Sequence, residues 1–164
     1  MNKVLIREQL VRVVSAARQA GRTIGICHGC FDILHLGHIY HFEQAKRFVD
    51  VLIISVTADK FVNKGPDRPV FSAHDRASFI AAIEHCDYVT INDSATAEDI
   101  IKILKPDKFF KGADYTSSED SRLQAEKCAA QSQRCELILT NDRVMDSSSR
   151  IVRALYRLSG YPNG

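Results

Sequence analysis

Histidines are concentrated in one short part of the chain. Four of the six, His28, His35, His38 and His41, lie within fourteen residues. A β-branched run ends just before them and a helical pattern follows, so His35 and His38 are predicted at a helix N-terminus, beside unpaired N–H groups and the positive end of the dipole. Such a position binds phosphate, and Gly37 would let the backbone approach a ligand closely. The spacing therefore predicts a site for phosphate chemistry.

The elements that must position these histidines alternate along the chain. Predicted strands cover residues 23–28, 51–57, 88–91, 108–111 and 136–140, and predicted helices cover residues 3–20, 37–48, 72–84, 96–104, 119–131 and 147–158. This alternation indicates an α/β fold, a doubly wound, Rossmann-like parallel sheet of about five strands in a single domain. Ligands of such sheets lie outside the carboxyl ends of the strands, where the strand order reverses. The long loop at residues 58–71 is predicted to be functional, as a lid.

Length and composition limit the class of protein. With 164 residues, 45% of them hydrophobic, the chain can bury a core without disulfides. We divide it into an N-terminal helix packed on the domain at 1–20, a catalytic domain at 21–158 and a tail at 159–164. A formal charge of +2 gives no reason to expect nucleic-acid binding. No apolar run is long enough to span a membrane, and five scattered cysteines fit a reducing compartment, so we expect a cytoplasmic protein.

Four segments carry a resemblance to a known family. Residues 29–38 read GCFDILHLGH and match the pattern G-x-F-D-x-x-H-x-G-H. This segment resembles the signature of the cytidylyltransferase-like nucleotidyltransferases. The segment KGPDRPV at 64–70, with DR at 75–76, and the segment KGADY at 111–115 are similar to the nucleotidyltransferase domain of ADP-heptose synthases. Residues 147–149, all serine, stand where these families open their last helix with Ser-Thr-Thr.

The resemblance implies a role for each matching residue. His35 and His38 would contact the triphosphate in the transition state, and Lys64 and Arg76 would engage phosphates, which makes these four the catalytic candidates. Asp59, Lys64 and Arg68 would bind the acceptor. The nucleotide-binding candidates are Gly29, Cys30, Phe31, Asp32, Gly37, Asp114, Arg143, Ser147, Ser148 and Ser149.

The implied reaction transfers a nucleoside monophosphate from an NTP to a small phosphorylated metabolite and releases pyrophosphate. The donor is ATP or CTP with Mg²⁺, and no protein metal site is expected. The heptose-like segments favour a sugar 1-phosphate acceptor such as heptose 1-phosphate. The alternative is a CTP:glycerol-3-phosphate cytidylyltransferase, a relative with the same H-x-G-H motif. The resemblance also implies a homodimer.

Two hypotheses from other classes compete with an enzyme of this kind. Cys27-x-x-Cys30 followed by His35-x-x-His38 suggests a metal or redox site, but the gap between the pairs is too short for a zinc finger, and Cys27 falls inside a predicted buried strand. The second competing hypothesis is a nucleotide sensor without catalytic activity. It would have no need to keep both histidines and Lys64.

Overall fold

The computed structural model describes residues 2–112, 121–141 and 148–159. The helices are α1 (Arg7–Gln19), α2 (Leu36–Lys46), α3 (Ala73–Ala81), α4 (Glu98–Leu104), α5 (Ser121–Ser132) and α6 (Ser148–Ser159). The strands are β1 (Ile24–Gly29), β2 (Val51–Thr57), β3 (Tyr88–Asn92), β4 (Lys108–Gly112) and β5 (Glu136–Thr140). A short 3₁₀ turn, Asp59–Phe61, follows β2. In this part of the chain no helix is both long enough and apolar enough to cross a bilayer.

Five parallel strands form one sheet in the order β3-β2-β1-β4-β5. Strand β1 pairs with β2 on one side and with β4 on the other, so the strand order reverses between β1 and β4. A ligand crevice is expected there, beyond the carboxyl end of β1. This confirms the predicted fold class, a doubly wound parallel sheet of five strands.

Helices cover both faces of the sheet, and each face has its own hydrophobic core. On one face Leu10 and Val14 of α1 join residues of α4 and α5 against β1 and β4. On the other, Phe42 of α2 and Ile80 of α3 pack against β1 and β2. Gly25 is required between the layers, because a Cβ there would lie 2.7 Å from the ring of Phe110.

The first helix begins later than the pattern predicts. Residues 3–5 extend along β3 instead, where Leu5 N–H donates to the Val89 carbonyl at 2.8 Å and Val89 N–H donates to the Lys3 carbonyl at 2.9 Å. These long-range bonds prevent residues 3–6 from joining the helix. The predicted cap of α3 is confirmed, because Ser72 Oγ accepts the N–H of Asp75 at 3.2 Å.

Candidate active site

The turn after β1 brings two imidazole rings together at the start of α2. His35 is the N-cap residue, in an extended conformation, and His38 lies in the first turn. Their rings stack with centroids 3.8 Å apart and an angle of 30° between the planes. The first N–H groups of a helix have no i→i−4 partner, so backbone donors accompany the rings. The sequence predicted this placement; the catalytic roles of both histidines stay predictions.

The residues between β1 and these rings fix their position by packing. Phe31 adopts a left-handed backbone conformation (φ 49°), which is uncommon for a residue with a side chain. Its ring makes edge contacts with His38 at 5.3 Å and with Phe42 at 5.2 Å between centroids. A side chain at Gly29 would come within 2.9 Å of that ring. Gly29 and Phe31, both predicted to bind nucleotide, thus also hold His38 in place.

Asp32 anchors the loop after β2. The carboxylate is buried, accepts the N–H of Val70 at 2.6 Å and forms a buried ion pair with Arg68. The resemblance implied a nucleotide contact for Asp32 and an acceptor contact for Arg68. The structure turns both side chains toward each other, so the contacts it shows are those that orient the loop.

Arg76 is fully buried, and its guanidinium bonds to four groups of the chain. It donates to the carbonyls of Cys30, Thr57 (2.9 Å) and Phe71 (2.9 Å) and pairs with Asp59 at 2.5 Å. These contacts join the ends of β1 and β2 to the start of α3. The structure thus gives Arg76 and Asp59 contacts within the chain that position the loop, and the phosphate and acceptor roles that the resemblance implies for them stay predictions.

Lys64 is exposed and lines a cavity of about 150 Å³ at the carboxyl ends of β1, β2 and β4. Gly29 and Cys30 line the same cavity, as do His28 and Thr57. Three of the predicted site residues are therefore brought together beside the turn that carries His35 and His38.

A buried ion pair in this cavity was missed by the sequence reasoning. Lys111 Nζ lies 2.6 Å from Glu126 Oε2, and each side chain is 4% exposed. The other oxygen of Glu126 accepts the N–H of Ala97 at 2.9 Å. One signal was available: Glu126 lies three residues from both Leu123 and Ala129 on the apolar face of α5, where a carboxylate needs a partner.

Two buried histidines remain neutral at physiological pH. Burial and the charge of Lys111 lower the pKa of His28 to about 3. The same two causes, burial first, lower the pKa of His41 to about 4. His41 Nδ1 is 2.7 Å from the hydroxyl of Thr140, away from the cavity. His28 was not predicted as a site residue, although it occupies the position before the Gly29 motif.

The structure gives the cysteine hypothesis no support. Burial raises the pKa of the Cys27 and Cys30 thiols, although nearby Lys64 partly offsets this at Cys30. Metal binding and redox exchange both need the thiolate. Within residues 2–112, 121–141 and 148–159, no three His, Cys, Asp or Glu side chains converge as metal ligands would. The prediction that Cys27 lies in a buried strand is confirmed.

Several predicted nucleotide-binding residues lie outside the part of the chain that the structure describes. Asp114, Arg143 and Ser147 are not among the described residues. Ser148 and Ser149 begin α6, as the pattern predicted, but their side chains are not described. Gly37 lies in the first turn of α2. The roles of these six positions stay predictions.

A helix N-terminus that carries two histidines at the switch point of a doubly wound sheet is typical of nucleotide-binding α/β proteins. The chain belongs to the Cytidylyltransferase-like family, whose profile matches residues 26–154. This match confirms the predicted family and enzyme class, a nucleotidyltransferase.

Curated relatives match about two thirds of this chain or slightly more. The chain is 43% identical over 119 residues to the bifunctional protein HldE of Campylobacter fetus. This alignment covers 71% of this chain and 25% of that protein. It is 42% identical over 110 residues to the bifunctional protein HldE of Sulfurimonas denitrificans, covering 66% and 23%. The chain spans about a quarter of the length of these relatives.

A solved structure agrees in fold. The lipopolysaccharide core biosynthesis protein of Thermoplasma volcanium superposes with a TM-score of 0.60. The match covers 77% of this chain and all of that one, at 22% sequence identity. At this identity the likeness supports the fold alone.

Proposed function

We propose that this chain transfers a nucleoside monophosphate from an NTP to a sugar 1-phosphate and releases pyrophosphate. The observation that carries the proposal is the stacked pair His35 and His38 at the start of α2, beside a cavity that Lys64 lines. The similarity to HldE proteins and the KGPDRPV and KGADY segments favour a heptose 1-phosphate as the acceptor.

The chemistry asks for charge neutralisation more than for a base. The second pKa of a phosphate is about 6, so the acceptor is largely a dianion at neutral pH. Its oxygen bonds to the α-phosphorus of the NTP while the bond from that phosphorus to the α–β bridging oxygen breaks, and pyrophosphate leaves. Donors and cations that follow the developing charge supply most of the catalysis in such transfers. In this proposal His35, His38 and the N–H groups of α2 do so for the donor.

Mg²⁺ would enter this site with the nucleotide. Among the described carboxylates, Asp32, Asp59 and Glu126 already contact Arg68, Arg76 and Lys111 respectively. They do not form a protein cage, but Mg²⁺ is commonly held by substrate phosphates with few protein ligands. The phosphates bound at α2 would hold the ion, which would neutralise their charge.

The histidine roles can be tested by substitution. His35→Ala and His38→Ala should each lower kcat for pyrophosphate release by about 10²–10³-fold, the usual effect of removing one transition-state donor. The KM for the NTP should change much less. His74→Ala, at an exposed position on α3, is the matched control. Wild-type kcat in either His35→Ala or His38→Ala would contradict the assignment.

Homodimer formation remains part of the proposal. Leu139 on the edge strand β5 and Leu155 on α6 are about half exposed, at 47% and 57%. Light scattering on the purified chain would give the oligomeric state directly.

A further inference from the structure

Part of the lining of the cavity beside the histidine pair is apolar. This apolar wall consists of Phe61 and Val62 in the loop after β2, Ala95 in the loop after β3, and Leu123 on α5. None of the described residues that line the cavity lies on α2. At about 150 Å³ the cavity is smaller than the roughly 300–1,000 Å³ that ligand pockets usually measure. It therefore suits the body of a small metabolite better than a whole nucleoside triphosphate.

The three elements that carry the apolar wall contact one another. The loop after β2 reaches the loop after β3 through an exposed ion pair between Lys60 and Asp93, with 2.8 Å between Nζ and Oδ1. The loop after β3 reaches α5 through the N–H of Ala97, which donates to Glu126 at 2.9 Å. The apolar wall is therefore built from adjoining elements.

Hydrogen bonds from one buried side chain hold the loop that contains Ala95. The amide of Asn92 donates to the carbonyl of Ser94 at 3.3 Å and to the carbonyl of Thr96 at 2.8 Å. The backbone carbonyl of Asn92 in turn accepts the N–H of Ala58 at 3.1 Å. Because the carbonyls on both sides of Ala95 are bonded to the same side chain, the backbone can make room for a larger residue only by breaking buried hydrogen bonds.

We propose that Ala95 is a specificity-determining residue whose small side chain leaves room in the cavity for the uncharged carbon body of the acceptor. The inference rests on the proposed transfer to a phosphorylated acceptor. Lys64, which is predicted to bind that acceptor, lines the same cavity and lies on the same loop as Phe61 and Val62. The acceptor class is a sugar phosphate, because the C–H groups of a sugar ring give it an apolar face that can pack against the apolar wall.

Added bulk at position 95 tests the proposal. In Ala95→Leu the KM for heptose 1-phosphate should rise about 10- to 100-fold at nearly unchanged kcat, because the added side chain overpacks the site and the acceptor body is held alike in the ground and transition states. Glycerol 3-phosphate has a shorter body and should lose less than about 2-fold in kcat/KM. The KM for the NTP should change by less than about 2-fold. Ala95→Ser, which is nearly isosteric, should keep the KM for heptose 1-phosphate within about 3-fold.

Ser94→Leu is the matched control, because it adds bulk to the same loop at a residue that does not line the cavity and keeps the carbonyl that Asn92 bonds. It should leave the kinetics with both acceptors as in the wild type. If Ala95→Leu fails to fold, Ala95→Val adds less bulk and should still raise the KM for heptose 1-phosphate and leave that for the NTP unchanged. An unchanged KM for heptose 1-phosphate in a folded Leu or Val variant, or a rise in the KM for the NTP instead, would overturn the inference.

Failure of the proposed function can be told apart from failure of this inference. If the wild type releases no pyrophosphate with any sugar phosphate, the proposed function fails. Calorimetric binding of heptose 1-phosphate then decides the inference. Binding that weakens at least about 10-fold in Ala95→Leu and is kept in Ser94→Leu supports it, whereas equal binding by the wild type and Ala95→Leu, or no binding by the wild type, contradicts it.

Discussion

Lys111 and Glu126 form a buried ion pair in which each charge is compensated by the other. The pair is almost completely removed from water, and Glu126 also satisfies the N–H of Ala97 at the start of α4. Breaking a buried pair by removing one partner leaves an uncompensated charge. Removing either Lys111 or Glu126 should therefore lower the free energy of unfolding.

Glu126→Gln should accordingly destabilise the protein. The amide keeps the shape and can still accept from Ala97, but Lys111 loses its counter-charge, so the free energy of unfolding should fall by about 3–5 kcal/mol. Urea denaturation measures this. The exposed pair of Lys108 and Glu136 is the control, because Glu136→Gln should cost less than about 1 kcal/mol. Equal costs for the two substitutions would contradict the account.

The neutral histidines predict how stability depends on pH. The pKa of His41 is about 4 in the folded protein, below its ordinary value of 6.5. Below pH 6.5 the unfolded chain binds the proton more readily than the folded one, so stability falls as the pH falls. Between pH 6.5 and pH 5, His41 should account for a loss of about 2 kcal/mol.

His41→Asn should therefore flatten the fall in unfolding free energy between pH 7 and pH 5. Urea denaturation at three pH values would measure the slope. His74→Asn, at an exposed position on α3, should leave the slope as in the wild type. An unchanged slope in His41→Asn would show that this histidine can be charged within the fold.

At the scale of elements, the loop between β2 and α3 is held at both ends by arginines. Arg76 bonds the carbonyls of Thr57 and Phe71, and Arg68 pairs with buried Asp32. The segment between these anchors carries Lys64 toward the cavity. We expect this loop to act as the lid of the site. Its anchors limit the positions that Lys64 can reach.

Arg68→Ala should release the lid. Proteolysis within residues 62–70 should be at least about 10-fold faster than in the wild type, because buried Asp32 loses its counter-charge and the loop opens locally more often. In the wild type, NTP with Mg²⁺ should protect the loop further from cleavage. Arg47→Ala, which breaks an exposed pair with Glu43 on α2, should leave cleavage unchanged. The same cleavage rate in Arg68→Ala would argue against an anchored lid.

For the whole molecule, the local patterns predicted the elements well. The continuous apolar run at 51–57 predicted the bounds of β2, because a strand that is buried on both faces is apolar along its whole length. The helix after β1 and the position of His35 and His38 at its start also followed from local sequence, whereas the stacking of their rings did not. Residues 3–5 did not, because their pairing with β3 is a contact across more than eighty residues.

The inward contacts of the site were the harder part to predict. The resemblance implies a phosphate role for Arg76, which stays a prediction. Four groups from β1, β2 and the loop surround its guanidinium, and these partners could not be predicted because their convergence is a property of the tertiary structure. The partner of Glu126 likewise comes from β4, a separate element. Types of residue at a site can thus be read from a motif, whereas their partners depend on the packed fold.

The central claim is transfer to a sugar 1-phosphate, and direct competition of acceptors tests it most closely. Pyrophosphate release would be measured with ATP and with CTP, each with Mg²⁺, on heptose 1-phosphate and on glycerol 3-phosphate. The account predicts that heptose 1-phosphate is used better by orders of magnitude in kcat/KM, because a smaller acceptor leaves polar groups of the acceptor pocket without partners. Faster turnover of glycerol 3-phosphate would contradict the account.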